Sequence, residues 1–138
     1  MEDKNTIDYK VSYLQMIQNI IGRMSTASAV FKGFCATIIT GTFALSFTKN
    51  NKWLLIISLI PLICFCIIDI YYLQLEKRYR ILYRMVKDGV HIIDFDLTPP
   101  KEKSLSREAS ICKCLKSPSI YLFYPPLIII GLIIILLK

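Results

Sequence analysis

The run WLLIISLIPLICFCIIDIYY, Trp53–Tyr72, decides the fold: twenty residues with a single charge, Asp69. As a helix rising about 1.5 Å per residue, it covers a bilayer hydrocarbon core of about 30 Å. Trp53 at one end and Tyr71 with Tyr72 at the other match the aromatic belts of a spanning helix. Pro61 falls inside the run, a position that membrane helices tolerate better than soluble ones.

Two further apolar blocks flank this one. Ala29–Phe47 precedes it across a polar tip, Thr48–Lys52, and Ser119–Leu137 closes the chain with no charge before Lys138. Of the 138 residues 54% are hydrophobic, and they are gathered into these blocks rather than spread periodically, which favours a membrane over one soluble core. The first block follows about 28 mixed residues and lacks a small-residue cleavage pattern, so it reads as a retained helix and not as a signal peptide. The fold expected is an all-α membrane protein with three transmembrane helices, an N-terminal amphipathic helix and a cytoplasmic helical stalk.

The net charge is +7, and ten of the seventeen Lys and Arg residues lie between Lys77 and Lys116. The turn between the first two blocks carries only Lys49 and Lys52. The positive-inside rule therefore sets the N-terminus and the large loop in the cytoplasm, with the short turn and the C-terminus outside. The expected divisions are a cytoplasmic amphipathic helix at 1–28, a transmembrane hairpin at 29–73, a basic stalk and loop at 74–118, and a third transmembrane helix at 119–138.

Past Tyr72 the apolar series Tyr72, Leu75, Tyr79, Leu82 and Val86 keeps a 3,4 spacing, with Lys77, Arg78, Arg80, Arg84 and Lys87 around the rest of the circumference. This reads as a helix continuing out of the bilayer and ending at Gly89, a natural C-cap. His91–Leu97 reads as extended, Thr98–Lys103 as a loop with Pro99-Pro100, and Ser104–Leu115 as a short helix. Ser117 and Pro118 read as an N-cap and first helical position, and Pro125-Pro126 should bend or tighten the first turns of the third block. Upstream, Leu14, Ile17, Ile21 and Met24 make a seam that serves as an oligomer or gate helix, packs within the chain, or lies on lipid.

An ionisable group in a spanning helix is expensive, so Lys32 and Asp69 need partners. Both fall about one turn inside the cytoplasmic boundary on consecutive antiparallel helices, where they can pair or snorkel to the interface. Gly33, Thr37 and Gly41 recur every four residues with Thr40 and Ala44 beside them. Such a face lets helices approach closely or lines a wet pathway, with Thr37, Thr40, Gly41 and Ala44 as pore-lining candidates. On the stalk, Arg78, Tyr79, Arg80, Tyr83, Arg84 and Lys87 interleave cations with rings, the chemistry that holds phosphates and stacked bases, and equally that of a helix against anionic lipid.

Catalysis finds little support: the sequence has one His, no Gly-rich phosphate loop and no recognised nucleophile motif, so no enzyme activity and no cofactor are expected. Asp94 and Asp96 are an acidic pair that reads as a solvated edge or a weak cation site. Five cysteines, Cys35, Cys64, Cys66, Cys112 and Cys114, lack zinc-ligand spacing and do not suggest a disulfide scaffold. No metal is expected.

The runs Tyr13-Leu14-Gln15-Met16-Ile17-Gln18 through Arg23-Met24, and Asp69-Ile70-Tyr71-Tyr72-Leu73-Gln74 through Glu76 and Tyr79-Arg80, resemble a group of small bacterial membrane proteins. These are encoded beside nucleotidyltransferases in antiphage operons, and the chain resembles in particular the membrane effectors of the Hailong defence system, over roughly residues 10 to 88. The resemblance implies an oligomeric ion channel of the inner membrane. An oligodeoxyadenylate made by the nucleotidyltransferase of the same operon would hold it closed; infection would open it, depolarising the cell and arresting growth. It supplies no residue-level assignments; those above come from the residues themselves.

Three function classes follow: a nucleotide-gated homo-oligomeric pore in contact with membrane lipids; a non-conducting anchor or adaptor that holds a cytoplasmic partner through the Leu14–Met24 seam; and a lipid-acting membrane enzyme that depends on His91, Asp94 or Asp96.

Overall fold

The computed structural model describes residues 4–49, 52–99 and 110–137, and their regular structure is entirely helical. Helix α1 runs Lys4–Lys49 and α2 runs Lys52–Lys87. Three shorter helices follow: α3 (Ile111–Leu115), α4 (Pro118–Tyr121) and α5 (Tyr124–Leu137).

α1 and α2 form a long antiparallel pair. No proline interrupts residues 4–49, and Thr37, Thr40 and Thr48 return their hydroxyls to the carbonyls of Gly33, Ala36 and Ala44 at 2.8–3.0 Å, so the polar side chains stay within the helix's own hydrogen bonding. The result is one helix of 46 residues, about 69 Å long. It passes through the expected boundary at 28–29 without a break. α2 accommodates Pro61 and continues for 36 residues, about 54 Å. Both exceed an apolar core of about 30 Å, so each must project well beyond a bilayer.

α2 ends as the sequence suggests. Gly89 adopts φ +73°, its amide donates to Val86 O at 3.2 Å, and the Val90 amide donates to Met85 O at 2.9 Å. This is a Schellman closure, which needs the left-handed conformation that glycine adopts without strain.

Three helical segments are long and apolar enough to cross a membrane: Asn5–Thr48, Ile56–Lys87 and Pro118–Leu136. The third is divided. Ser117 precedes Pro118 as its N-cap residue, α4 stops at Tyr121, Leu122 and Phe123 form a turn, and the helix restarts at Tyr124 ahead of Pro125 and Pro126. Proline is easily borne in a first turn, where its missing N–H has no intrahelical carbonyl to serve. In each candidate span only 17% of the most apolar window is buried within the chain. Ile60, Ile63, Ile67, Ile129 and Leu132 are among the large side chains left open, as expected for surfaces that meet lipid or other copies.

Two apolar clusters hold the hairpin. In one, Cys35 and Ile39 of α1 meet Leu62 of α2 and Ile120 and Tyr124 of the third segment. In the other, Tyr13 and Ile17 meet Leu82 and Val86, with Leu14, Ile21, Tyr79, Tyr83, Ile93 and Leu97 around them. The segment expected to be extended, His91–Leu97, is irregular and straps across the N-terminal part of α1. Phe95, at φ +60°, stands edge-on to Tyr9 and Tyr13, and the Tyr13 hydroxyl donates to Asp96 O. The expected helix Ser104–Leu115 is helical over Ile111–Leu115; residues 104–109 lie outside those described.

Candidate functional site

Asp69 is wholly buried on α2, where an isolated carboxylate would be strongly destabilising. Helix periodicity on α1 supplies two partners one turn apart. Lys32 Nζ lies 2.5 Å from Asp69 Oδ2, and the Ser28 hydroxyl donates to Asp69 Oδ1. Lys32 also donates to Ser28 Oγ at 2.8 Å, so the two α1 side chains support each other. A third partner comes from α5: the Tyr124 hydroxyl is 3.1 Å from Asp69 Oδ2 and 3.3 Å from Phe65 O. One carboxylate thus joins all three apolar segments. Among the described residues, no buried side-chain nitrogen or oxygen lacks a partner. The pair Lys32 and Asp69 was visible in the sequence as two charges in apolar blocks; Ser28 and Tyr124 were not, because a serine and a tyrosine near an interface carry no such signal.

The stalk displays its cations unevenly. Arg80 pairs with Glu76 one turn earlier, through Nε at 2.8 Å and the terminal nitrogen at 2.7 Å. Two shallow clefts flank the Arg80–Arg84 ridge. The one toward α1, about 520 Å³, is lined by Gln18, Ile21, Arg80, Tyr83 and Arg84. The one toward α3, about 310 Å³, is lined by Lys77, Arg80, Ile81, Arg84 and Lys113. Of the expected ligand set, Arg80, Tyr83 and Arg84 come together at a cleft, whereas Arg78 and Lys87 are exposed away from both linings. Tyr79 packs against the Tyr13–Leu82 cluster instead of lining either cleft, because its 3,4 spacing places it on the buried stripe. Lys77, Lys113 and Gln18 enter in its place; Lys113 and Gln18 are brought in from other helices by tertiary packing.

Thr37, Thr40, Gly41 and Ala44 are exposed on α1, and a Cβ placed on Gly33 or Gly41 would meet nothing within 4 Å. The seam, by contrast, is largely occupied. Ile17 is fully buried, Leu14 and Ile21 are half-buried against α2, and Met24 lines a separate groove with Phe31 and Tyr72. Tyr13, one position before the expected seam, is its most buried ring.

The loop acids serve the backbone. Asp94 Oδ1 accepts the Asp96 amide at 3.0 Å, and Asp96 Oδ1 accepts the Thr98 amide at 3.0 Å and the Thr98 hydroxyl at 2.6 Å. The Thr98 bonds hold the Asp96 carboxyl below its ordinary value. His91 Nδ1 lies 2.7 Å from Ile92 O. Burial pushes the Cys114 thiol up, against the opposing pull of Lys77. Among the described residues the five cysteines are free, and no group of three or more His, Cys, Asp or Glu side chains is placed to hold a metal.

Fold and site together define an all-helical protein with three apolar helices able to cross a membrane, cross-linked by a buried ionic network. No protein family, curated protein or solved structure matches the chain.

Proposed function

We propose that this chain is an oligomeric transmembrane pore, an ion-channel effector of bacterial antiphage defence in the inner membrane, multi-pass with its N-terminus cytoplasmic. A nucleotide or oligonucleotide signal gates it, and conduction depolarises the membrane and arrests growth. It acts without catalysis.

The observation that carries this reading is the uncovered face Thr37, Thr40, Gly41 and Ala44. Small residues at this spacing permit close approach of several copies of α1, and threonine hydroxyls already bonded to their own helix keep lone pairs for water or ions. The amphipathic N-terminal part of α1 and the stalk of α2 form the cytoplasmic lobe, and its Gln18–Tyr83–Arg84 cleft offers cations and a ring to an anionic nucleotide. The oligodeoxyadenylate identity of that ligand, and a partner nucleotidyltransferase in the same operon, rest on the resemblance to Hailong effectors. An adaptor would use the seam Leu14, Ile17, Ile21 and Met24, of which Ile17 is buried and Leu14 and Ile21 are half-buried against α2, and this favours the pore.

Single-channel recording from purified oligomer in planar bilayers tests the proposal. Discrete conductance that Thr37→Leu with Thr40→Leu abolishes is expected. Silence of the wild type with and without oligodeoxyadenylate would sink the pore reading. In cells, a membrane-potential dye should report depolarisation by the protein alone and its suppression by the co-expressed nucleotidyltransferase.

A further inference from the structure

The cleft between α2 and α3 gathers four cations, Lys77, Arg80, Arg84 and Lys113, around about 310 Å³. Arg80 is paired with Glu76, and Lys77 and Lys113 bring positive charge to the cleft from two different helices. Like charges repel, so a site of this composition is most stable with an anion in it. Lys77 Nζ also donates to Lys113 O at 3.0 Å, which fixes α3 beside α2 and makes the cleft a defined feature of the fold.

Its height in the membrane selects the anion. Lys77 follows Tyr72 by five residues, about 7.5 Å along the helix axis, and Lys113 precedes Pro118, where the third span begins, by five. Tyr71, within α2, and Tyr121, at the end of α4, are exposed close to these two points, the placement of an interfacial aromatic belt. Headgroup layers extend about 5–7 Å beyond the hydrocarbon on each side, so the two lysines stand at the level of lipid phosphates. Helix α3 adds an apolar contact of its own: Ile111 and Leu115, one turn apart, are exposed while Cys114 is buried against the protein. A short helix with exposed aliphatic side chains beside a cationic cleft presents acyl-chain and phosphate contacts together.

We infer that this cleft is a binding site for the phosphate-bearing headgroup of an anionic phospholipid. The inference needs the helices to span a bilayer and holds whether or not the chain conducts. Because Arg80 and Arg84 line both clefts, a lipid held on one side draws on the same guanidinium groups that a nucleotide would use on the other.

Native mass spectrometry of the full chain in mild detergent, titrated with phosphatidylglycerol or phosphatidylcholine, tests it. Phosphatidylglycerol should bind in preference, about fivefold more weakly for Lys77→Ala or Lys113→Ala and about thirtyfold for both together. The charge-matched pair Arg78→Ala with Lys87→Ala, outside the cleft, should leave binding within twofold, and Lys77→Arg with Lys113→Arg should retain it. Equal affinity for the two lipids, or equal losses from the two alanine pairs, would overturn the inference. So would displacement by inorganic phosphate at concentrations comparable to the lipid's, which would assign the cleft to a soluble phosphate.

Discussion

Removing either partner of the Lys32–Asp69 pair should cost far more than removing both. Asp69 has no exposed surface, while the Lys32 side chain is 17% exposed. Lys32→Met therefore strands a buried carboxylate with two hydroxyl donors, and losing one partner of a buried pair costs about 3–5 kcal/mol. Asp69→Leu strands the ammonium instead, but its flexible stem can reach toward the interface, so the cost should fall to about 2–3 kcal/mol. Ser28 and Tyr124 also lose an acceptor in that variant; Ser28 can turn to its own helix carbonyl, and Tyr124 retains Phe65 O. In the double variant no charge is left to desolvate, so the expected cost is about 0–1 kcal/mol. The cycle should thus show coupling of several kcal/mol, with the double variant more stable than either single one. Equilibrium unfolding in mixed micelles, followed by helical circular dichroism, measures all four corners. Additive costs, or single costs under about 0.5 kcal/mol, would refute the account of a desolvated, mutually dependent pair.

Tyr124→Phe keeps the ring in the Cys35–Leu62 cluster and removes one donor to a charged acceptor, so the same assay should show a loss of about 1.5–3 kcal/mol, with an unaltered helical signal. Gly89→Ala meets no neighbouring atom within 4 Å, so its cost is conformational alone, about 1 kcal/mol, and should appear in hydrogen exchange at the Lys87–Val90 end of α2 before global unfolding. Asp96, its carboxyl depressed chiefly by the Thr98 hydroxyl, contributes stability above the ordinary carboxylate range that is lost as pH falls through its lower folded value. Acid exposure should loosen the loop strap first, and Thr98→Val, which keeps the amide bond to Asp96 but loses the hydroxyl, should weaken that acid dependence; an unchanged pH profile of proteolytic nicking at residues 91–98 would count against it.

The three apolar segments were legible because each is a continuous block, a signal that does not depend on tertiary context, and Gly89 was legible because few residues besides glycine close a helix in this way. The charges at Lys32 and Asp69 stood out for the same reason that they must pair: apolar surroundings make any charge conspicuous. What escaped depended on packing between segments distant in sequence. Tyr13 reads as one apolar residue among several until the loop strap covers it with Phe95 and Asp96. Lys113 reads as one lysine among ten basic residues until α3 docks beside Lys77. Tyr79 and Tyr83 both pack half-buried against the Tyr13–Leu82 cluster, but only Tyr83 also lines a cleft, a difference that the 3,4 spacing does not reveal.

The network also constrains how a gate of the proposed kind can move. α1 and α2 run unbroken through both apolar clusters, so a displacement around the Tyr13–Leu82 cluster reaches the apolar spans as a rigid shift rather than being absorbed at a hinge. Sliding α1 along α2 must separate Ser28 and Lys32 from Asp69; swinging α5 away must break the Tyr124 bond and leave the α1 contacts intact. A ligand biases the gate only by binding one of these states better than the other. If gating is a slide, Lys32→Met with Asp69→Leu shifts the opening equilibrium and Tyr124→Phe does not. If it is a swing, Tyr124→Phe alone suffices, and open probability in single-channel records separates the two.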